Sequence, residues 1–177
     1  MKPLPQSPIP SLLVRKGLQT TLLLLLAVGS ASADYGTVLP MPASPLYVSE
    51  CGACHTAYAP GYLPARSWKQ LMTDLSNHFG TDASLKEADR DLILAQLQAL
   101  ALDTPEAHRV IASRNGGAWA AGTPLRISDS PFFSFMHDEV PSSFWRRPRI
   151  GSKANCSACH TRADEGRYPE AEISIPK

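Results

Sequence analysis

No cysteine is left over in this chain of 177 residues: all four fall in two five-residue groups, so no odd thiol remains for an intermolecular bridge. Period-two alternation of apolar and polar residues is missing too, and without it the fold reads as mainly helical. Charge of one sign is not in excess. Seventeen basic residues face 16 acidic ones, a net charge of +1 that gives no reason to expect a nucleic-acid partner. Long apolar runs are scarce: the one candidate, residues 18–29, is interrupted by Gln19, Thr20 and Thr21. A membrane-spanning helix needs about 20 predominantly apolar residues, so an uncleaved anchor is the weaker reading of this run.

What is there begins with that run. Arg15 and Lys16 precede the apolar stretch from Leu22 to Val28, and the small residues Ala31, Ser32 and Ala33 follow it. This is the charged, hydrophobic and cleavage order of a secretory signal, so residues 1–33 are expected to be removed and the mature chain to start at Asp34 in a bacterial periplasm. Removal takes three basic residues (Lys2, Arg15, Lys16) and no acidic one, leaving 14 against 16 and a mature net charge of −2. No other stretch suggests a span in the mature chain.

The two cysteine groups are Cys51-Gly52-Ala53-Cys54-His55 and Cys156-Ser157-Ala158-Cys159-His160. Each matches the Cys-x-x-Cys-His attachment motif of c-type haem. The spacing has a chemical reason: two thiols take the two haem vinyl positions as thioethers, and the adjacent histidine reaches the iron as the proximal ligand. A zinc site has enough ligands on count, but an exported chain meets an oxidising space that suits thiolates poorly. Neither group has the strand–helix context of a thiol redox motif, and a disulfide has no use for the following histidine. Two covalently attached haems, with their iron, are therefore expected. The basic stretch Arg146-Arg147-Pro148-Arg149 reads first as a solvated loop and second as a docking or propionate-pairing patch.

Helical organisation follows from periodicity and caps. The proline-containing stretch 34–49 reads as an extended lead-in, and 58–64 as a loop wrapping a haem edge. Trp68, Leu71, Met72, Leu75 and Phe79 form one apolar stripe of a helix that starts near Ser67 and stops at Gly80, with His78 at its edge. Ser84 to Glu87 reads as a capping box for a second helix with the face Leu85, Ala88, Leu92, Ala95, Ala99. Thr104-Pro105 opens a short third helix carrying His108. Ser130-Pro131 opens another, with Phe133, Met136, His137 and Val140 on one face and Pro141 as its end. Ser152 is expected to cap a last helix presenting Cys156, Cys159 and His160, with Gly166 as its stop and an extended tail from Tyr168. A soft boundary separates an amino-terminal haem-binding half, 34–120, from a carboxy-terminal one, 121–177. The macrocycles would supply apolar area that so few helices cannot.

An iron held by one histidine is open, whereas a second protein ligand closes it. Beyond His55 and His160 the candidates are His78, His108 and His137, with Met41, Met72 and Met136 as methionines. His78 follows His55 by 23 residues in an apolar setting and is favoured for the first haem; His137, 19 residues before Cys156, is favoured for the second. Swapping the two between haems stays open. His108, among Glu106, Arg109 and Arg114, reads as structural or surface, and Met72 is the methionine alternative.

On Cys51–His55 with Tyr58, Trp68, His78-Phe79-Gly80, His137, Trp145, Cys156–His160 and Ile173–Pro176, the chain resembles the bacterial dihaem cytochrome c family over about residues 47–176. The resemblance implies two low-spin haems, each held by two histidines, with His78 and His137 distal. It implies partners such as a small oxygen-binding haem protein or a membrane b-type cytochrome. Met136 departs from the pattern, standing where a basic residue is expected before His137. The function so read is single-electron relay without catalytic residues. The rivals are a dihaem enzyme of peroxidase type and a haem gas-binding protein, each needing an open iron.

Overall fold

Proline, read above as keeping the lead-in extended, starts the first helix instead. Ser44 caps α1 (Pro45–Gly52), its hydroxyl accepting from the Leu46 N–H at 3.2 Å, and Pro45 sits in the first turn where its missing donor costs nothing. Cys51 thus lies in the last turn of a helix. The computed structural model describes residues 39–42, 44–105, 107 and 118–177; the leader 1–33 and His108 lie outside the described residues.

The second helix is shorter than its apolar stripe. α2 (Ala65–Thr73) buries Trp68 and Met72, but Asp74 leaves the helix with φ −128° and ψ 54°, and Leu75–Asn77 form a 3₁₀ turn. His78 to Thr81 then close a tight turn, His78 N–H donating to the Thr81 carbonyl at 2.8 Å and Thr81 N–H to that of His78 at 3.1 Å. Its central residues, Phe79 (φ 54°) and Gly80 (φ 92°), both have positive φ, as in the primed hairpin turns. Gly80 therefore shapes a turn rather than stopping a helix, and Phe79 is 45% exposed instead of extending the stripe.

α3 (Glu87–Ala99) turns a different face inward from the one expected. Ile93 and Leu97 are buried, while Leu92 is 57% exposed and Ala88, Ala95 and Ala99 face solvent. Three alanines offer little area, so the branched side chains one position on win the contact with α2. The expected capping box does not form: the Asp82 carboxylate accepts from the Ser84 N–H at 2.9 Å, and Lys86 stands at the N-cap without a side-chain bond. Glu87 and Asp89 in the first turn still complement the helix dipole.

Tyr47, Leu63, Trp68, Met72, Ile93, Leu97 and Ala101 make the main core, and Leu39, Ala59, Leu102 and Trp119 a second cluster. The loop 58–64 is part of this core: Pro60, Gly61, Leu63 and Pro64 are buried, and the Trp68 indole N–H donates to the Pro60 carbonyl at 2.8 Å. A buried indole needs such a partner.

In the carboxy-terminal part, α4 (Pro131–Met136) has the expected cap, the buried Ser130 hydroxyl accepting from the Phe133 N–H at 3.1 Å. It ends at Met136, well before Pro141, which leaves His137 at the C-cap rather than on a continuing face. No α-helix carries the second cysteine group. Cys156–Ala158 and Ala163–Glu165 are single 3₁₀ turns, the latter closed by Gly166 at φ 70°. The polar residues before the motif hydrogen-bond their own backbone, Ser152 accepting from Ala154 N–H and Asn155 donating to the Ile150 carbonyl, which competes with helix formation. After a 3₁₀ turn at Glu170–Glu172 the tail runs extended beside the motif: His160 and Ile173 form an isolated bridge, and Ser174 N–H donates to the Cys159 carbonyl at 2.9 Å. Among the described residues the architecture is helical, with no β-strand and no helix long and apolar enough to cross a membrane.

Candidate functional site

Two histidine pairs define the sites. In the first, the end of α1 delivers Cys51, Cys54 and His55, and the 78–81 turn delivers His78; their imidazole centres lie 6.2 Å apart with planes 22° from parallel. The Thr56 carbonyl, which only accepts, lies 2.7 Å from His55 Nδ1, so that nitrogen carries the proton and Nε2 is left to bind metal. A cavity of about 650 Å³ opens between them, floored by Trp68, Leu71, Met72, Leu75 and Leu97 and reaching Cys156. That lies within the roughly 300–1,000 Å³ of small-molecule and cofactor sites. Met72 lines it from within the core and packs with Trp68 and Ile93.

In the second, the 3₁₀ turn at Cys156–Ala158 leads into Cys159 and His160, and the C-cap of α4 delivers His137; the ring centres are 6.0 Å apart with planes at 82°. His137 is set by its own helix. Its Nδ1 lies 3.0 Å from the Phe133 carbonyl, and its ring stacks on Phe133 at 4.0 Å, with Trp145 at 5.8 Å. Tyr168 packs edge-on against His160 at 5.1 Å, and the buried His160 Nδ1 has no hydrogen-bond partner.

These separations fit one iron per pair. With metal–imidazole bonds of about 2 Å and a ring centre roughly 1 Å beyond each nitrogen, two rings on one metal have centres about 6 Å apart. The structure brings His78 to His55 and His137 to His160, not the swapped arrangement. Burial lowers the pKa of His78, His137 and His160, helped at His78 by His55 and Arg126 and at His160 by His137; the neutral imidazole, which is the ligating form, is favoured. At His137 the Phe133 carbonyl opposes burial, while Lys153 adds to it.

The cysteines are unpaired, and among the described residues no three or more His, Cys, Asp or Glu side chains gather into a metal cage. Burial, aided by Glu50 and Cys54, pushes the Cys51 thiol up to about 11, and burial also raises Cys156 and Cys159. Protonated thiols are the reverse of what a zinc ligand or thiol-redox nucleophile needs. Of the basic stretch, Arg147 is engaged, lying over the Phe144 ring at 3.5 Å and donating to the Pro176 carbonyl at 2.7 Å. Sequence reasoning placed Phe133 on the His137 face but missed Tyr58 as a neighbour of His55. Phe133 was within reach, because it precedes His137 by four residues on a helix.

Two Cys-x-x-Cys-His groups, each with a second histidine facing the first at iron-bridging distance, define a c-type haem protein. The sequence model of the dihaem cytochrome c family matches residues 47–168. A dihaem cytochrome c from Rhodobacter sphaeroides is 46% identical, covering 71% of this chain and 97% of that one, with a TM-score of 0.60. A second structure of that bacterium's protein is 44% identical at a TM-score of 0.55, covering the same shares of the two chains. One from Shewanella baltica is 33% identical, covering 77% of this chain and 95% of that one, with a TM-score of 0.61. Among curated proteins none matches. The chain belongs to the dihaem cytochrome c family, and its cofactors are two covalently bound haems c with their iron.

Proposed function

We propose that the protein relays single electrons between redox partners in the periplasm through two closed, low-spin haems. His55 with His78 would hold the first iron, and His160 with His137 the second. The observation that carries this reading is the facing of each motif histidine by one further imidazole, at 6.2 and 6.0 Å. The bound haems supply one-electron iron chemistry. With two imidazoles of the protein holding each iron, no position would be left for a substrate or gas, so no catalytic residue is assigned. His55 through Thr56 and His137 through Phe133 hold their tautomers by carbonyl bonds, which keeps the coordinating nitrogen aimed. Cys51, Cys54, Cys156 and Cys159 anchor the groups covalently. The signal-like leader 1–33 supports export, and the partners are other redox proteins, such as a small oxygen-binding haem protein or a membrane b-type cytochrome.

Carbon monoxide tests the closure. The reduced holoprotein should bind none at either haem, and its intact mass should equal the polypeptide from Asp34 plus two haems. Ready carbon monoxide binding at one haem would replace the relay by a peroxidase-type or gas-binding reading.

A further inference from the structure

Tyr58 stands between the two halves and touches both. Its ring stacks on His55 with centres 5.2 Å apart and planes 20° from parallel. Its hydroxyl reaches across 96 residues of sequence to donate to the Ala154 carbonyl at 2.9 Å. The Cys156 sulfur lies 3.8 Å from that same oxygen, so the phenol and the first anchoring sulfur of the second haem converge on one acceptor. The other end of Tyr58 is pinned as well. Its carbonyl accepts from the Tyr47 hydroxyl at 2.6 Å, and Tyr47 is buried in the main core.

We propose that Tyr58 is the positioning and coupling residue between the two haem sites: it holds Cys156 at a set distance from His55 and supplies a stacked and hydrogen-bonded path between them. The inference rests on the relay reading. One electron leaves one iron and arrives at the other. No bond forms or breaks, Tyr58 is not oxidised, and its proton remains in the bond to the Ala154 carbonyl. The competing route runs directly between the two haems through the first cavity, which reaches Cys156 and has Tyr58 as part of its wall.

The test uses the holoprotein and its Tyr58→Phe, Tyr58→Leu and Thr73→Val variants. Flash photoreduction by one electron, followed by the redistribution between the two haems, reads the internal transfer rate. Low-spin spectra and carbon monoxide exposure report ligation separately. Tyr58→Phe, which keeps the stack and loses the hydroxyl bond, should slow redistribution several-fold, and Tyr58→Leu should slow it further, with both haems still low-spin. Thr73→Val, which loses only an exposed bond to the Lys69 carbonyl within α2, should match the parent. Parental rates in both Tyr58 variants would overturn the inference and assign the coupling to the edges. If Tyr58→Leu fails to mature, the rate in Tyr58→Phe decides alone. A parent that is high-spin or binds carbon monoxide would instead sink the relay reading, a result the redistribution rate does not enter.

Discussion

The two histidines that face the motif histidines, His78 and His137, are held in different ways. His137 is placed by secondary structure: a capped helix ends at it, the Phe133 carbonyl takes its Nδ1, and its ring lies flat on Phe133. His78 rides on a four-residue turn, and among the described residues its imidazole makes no hydrogen bond; its support is the edge of Phe79 at 4.8 Å, itself covered by the Arg126 guanidinium at 3.7 Å. On the proposed ligation, His137 is aimed before any metal arrives, whereas His78 would be aimed in part by the bond it makes. Sites of one composition in one chain can therefore differ in how firmly they stay closed.

The strongest way to probe this is to remove each ring. His78→Ala and His137→Ala should each convert half the chromophore to high spin and admit carbon monoxide at that haem, read by absorption spectra and intact mass. Unchanged low-spin spectra in either variant would mean that the removed ring was not the ligand. A finer probe is competition with cyanide in the oxidised protein. The stacking of His137 on Phe133 is matched by the edge of Phe79 beside His78, so the carbonyl bond of His137, about 1 kcal/mol, favours His137 over His78 by roughly fivefold in ligand exchange. Cyanide should thus enter the first haem at the lower concentration; equal midpoints would show that the turn holds His78 as firmly as the helix holds His137.

Plane angle tells the two haems apart in the same titration. Near-parallel imidazoles, as at 22°, split the iron dπ orbitals, while near-perpendicular ones, as at 82°, leave them almost degenerate. Electron paramagnetic resonance of the oxidised protein should show one ordinary rhombic low-spin signal and one strongly anisotropic signal, and cyanide should remove the rhombic one first. Two rhombic signals would mean that the second pair turns when iron binds.

The cysteine groups were legible from sequence because their spacing is the chemistry of attachment and survives any local fold. His78 and His137 were singled out in the sequence because each lies beside an apolar stripe, and the structure sets their rings 6.2 and 6.0 Å from those of His55 and His160. Their local settings were not. The period-3.6 stripe through Phe79 did not reveal that Asp74 leaves the helix, and a count of apolar positions chose the alanine-rich face of α3 over Ile93 and Leu97. Polar residues around Cys156 satisfied their backbone locally, so a helix with good start and stop signals did not form. Tyr58 lay beyond any local pattern, because its hydrogen-bond partner Ala154 is 96 residues away.

The smallest expected effect on stability is the one that isolates the weaker ligand. Phe79 occupies φ 54°, a left-handed conformation costing a side chain about 1 kcal/mol that glycine does not incur. Phe79→Gly relieves that strain but gains about 0.5–1 kcal/mol of unfolded-chain entropy. It also loses a partly exposed cation–π contact with Arg126 worth roughly 0.5–1 kcal/mol. These terms leave a net loss of up to about 1 kcal/mol and the lost edge against His78 adds about 1 kcal/mol, so the melting temperature of the holoprotein should fall by only several degrees. Through that lost edge, cyanide should displace His78 roughly fivefold more readily. Melting and cyanide titration of the same sample separate the two effects. A large fall in melting temperature with unchanged exchange would make Phe79 a packing residue, against its exposure, and would return the aiming of His78 to the backbone of the turn alone.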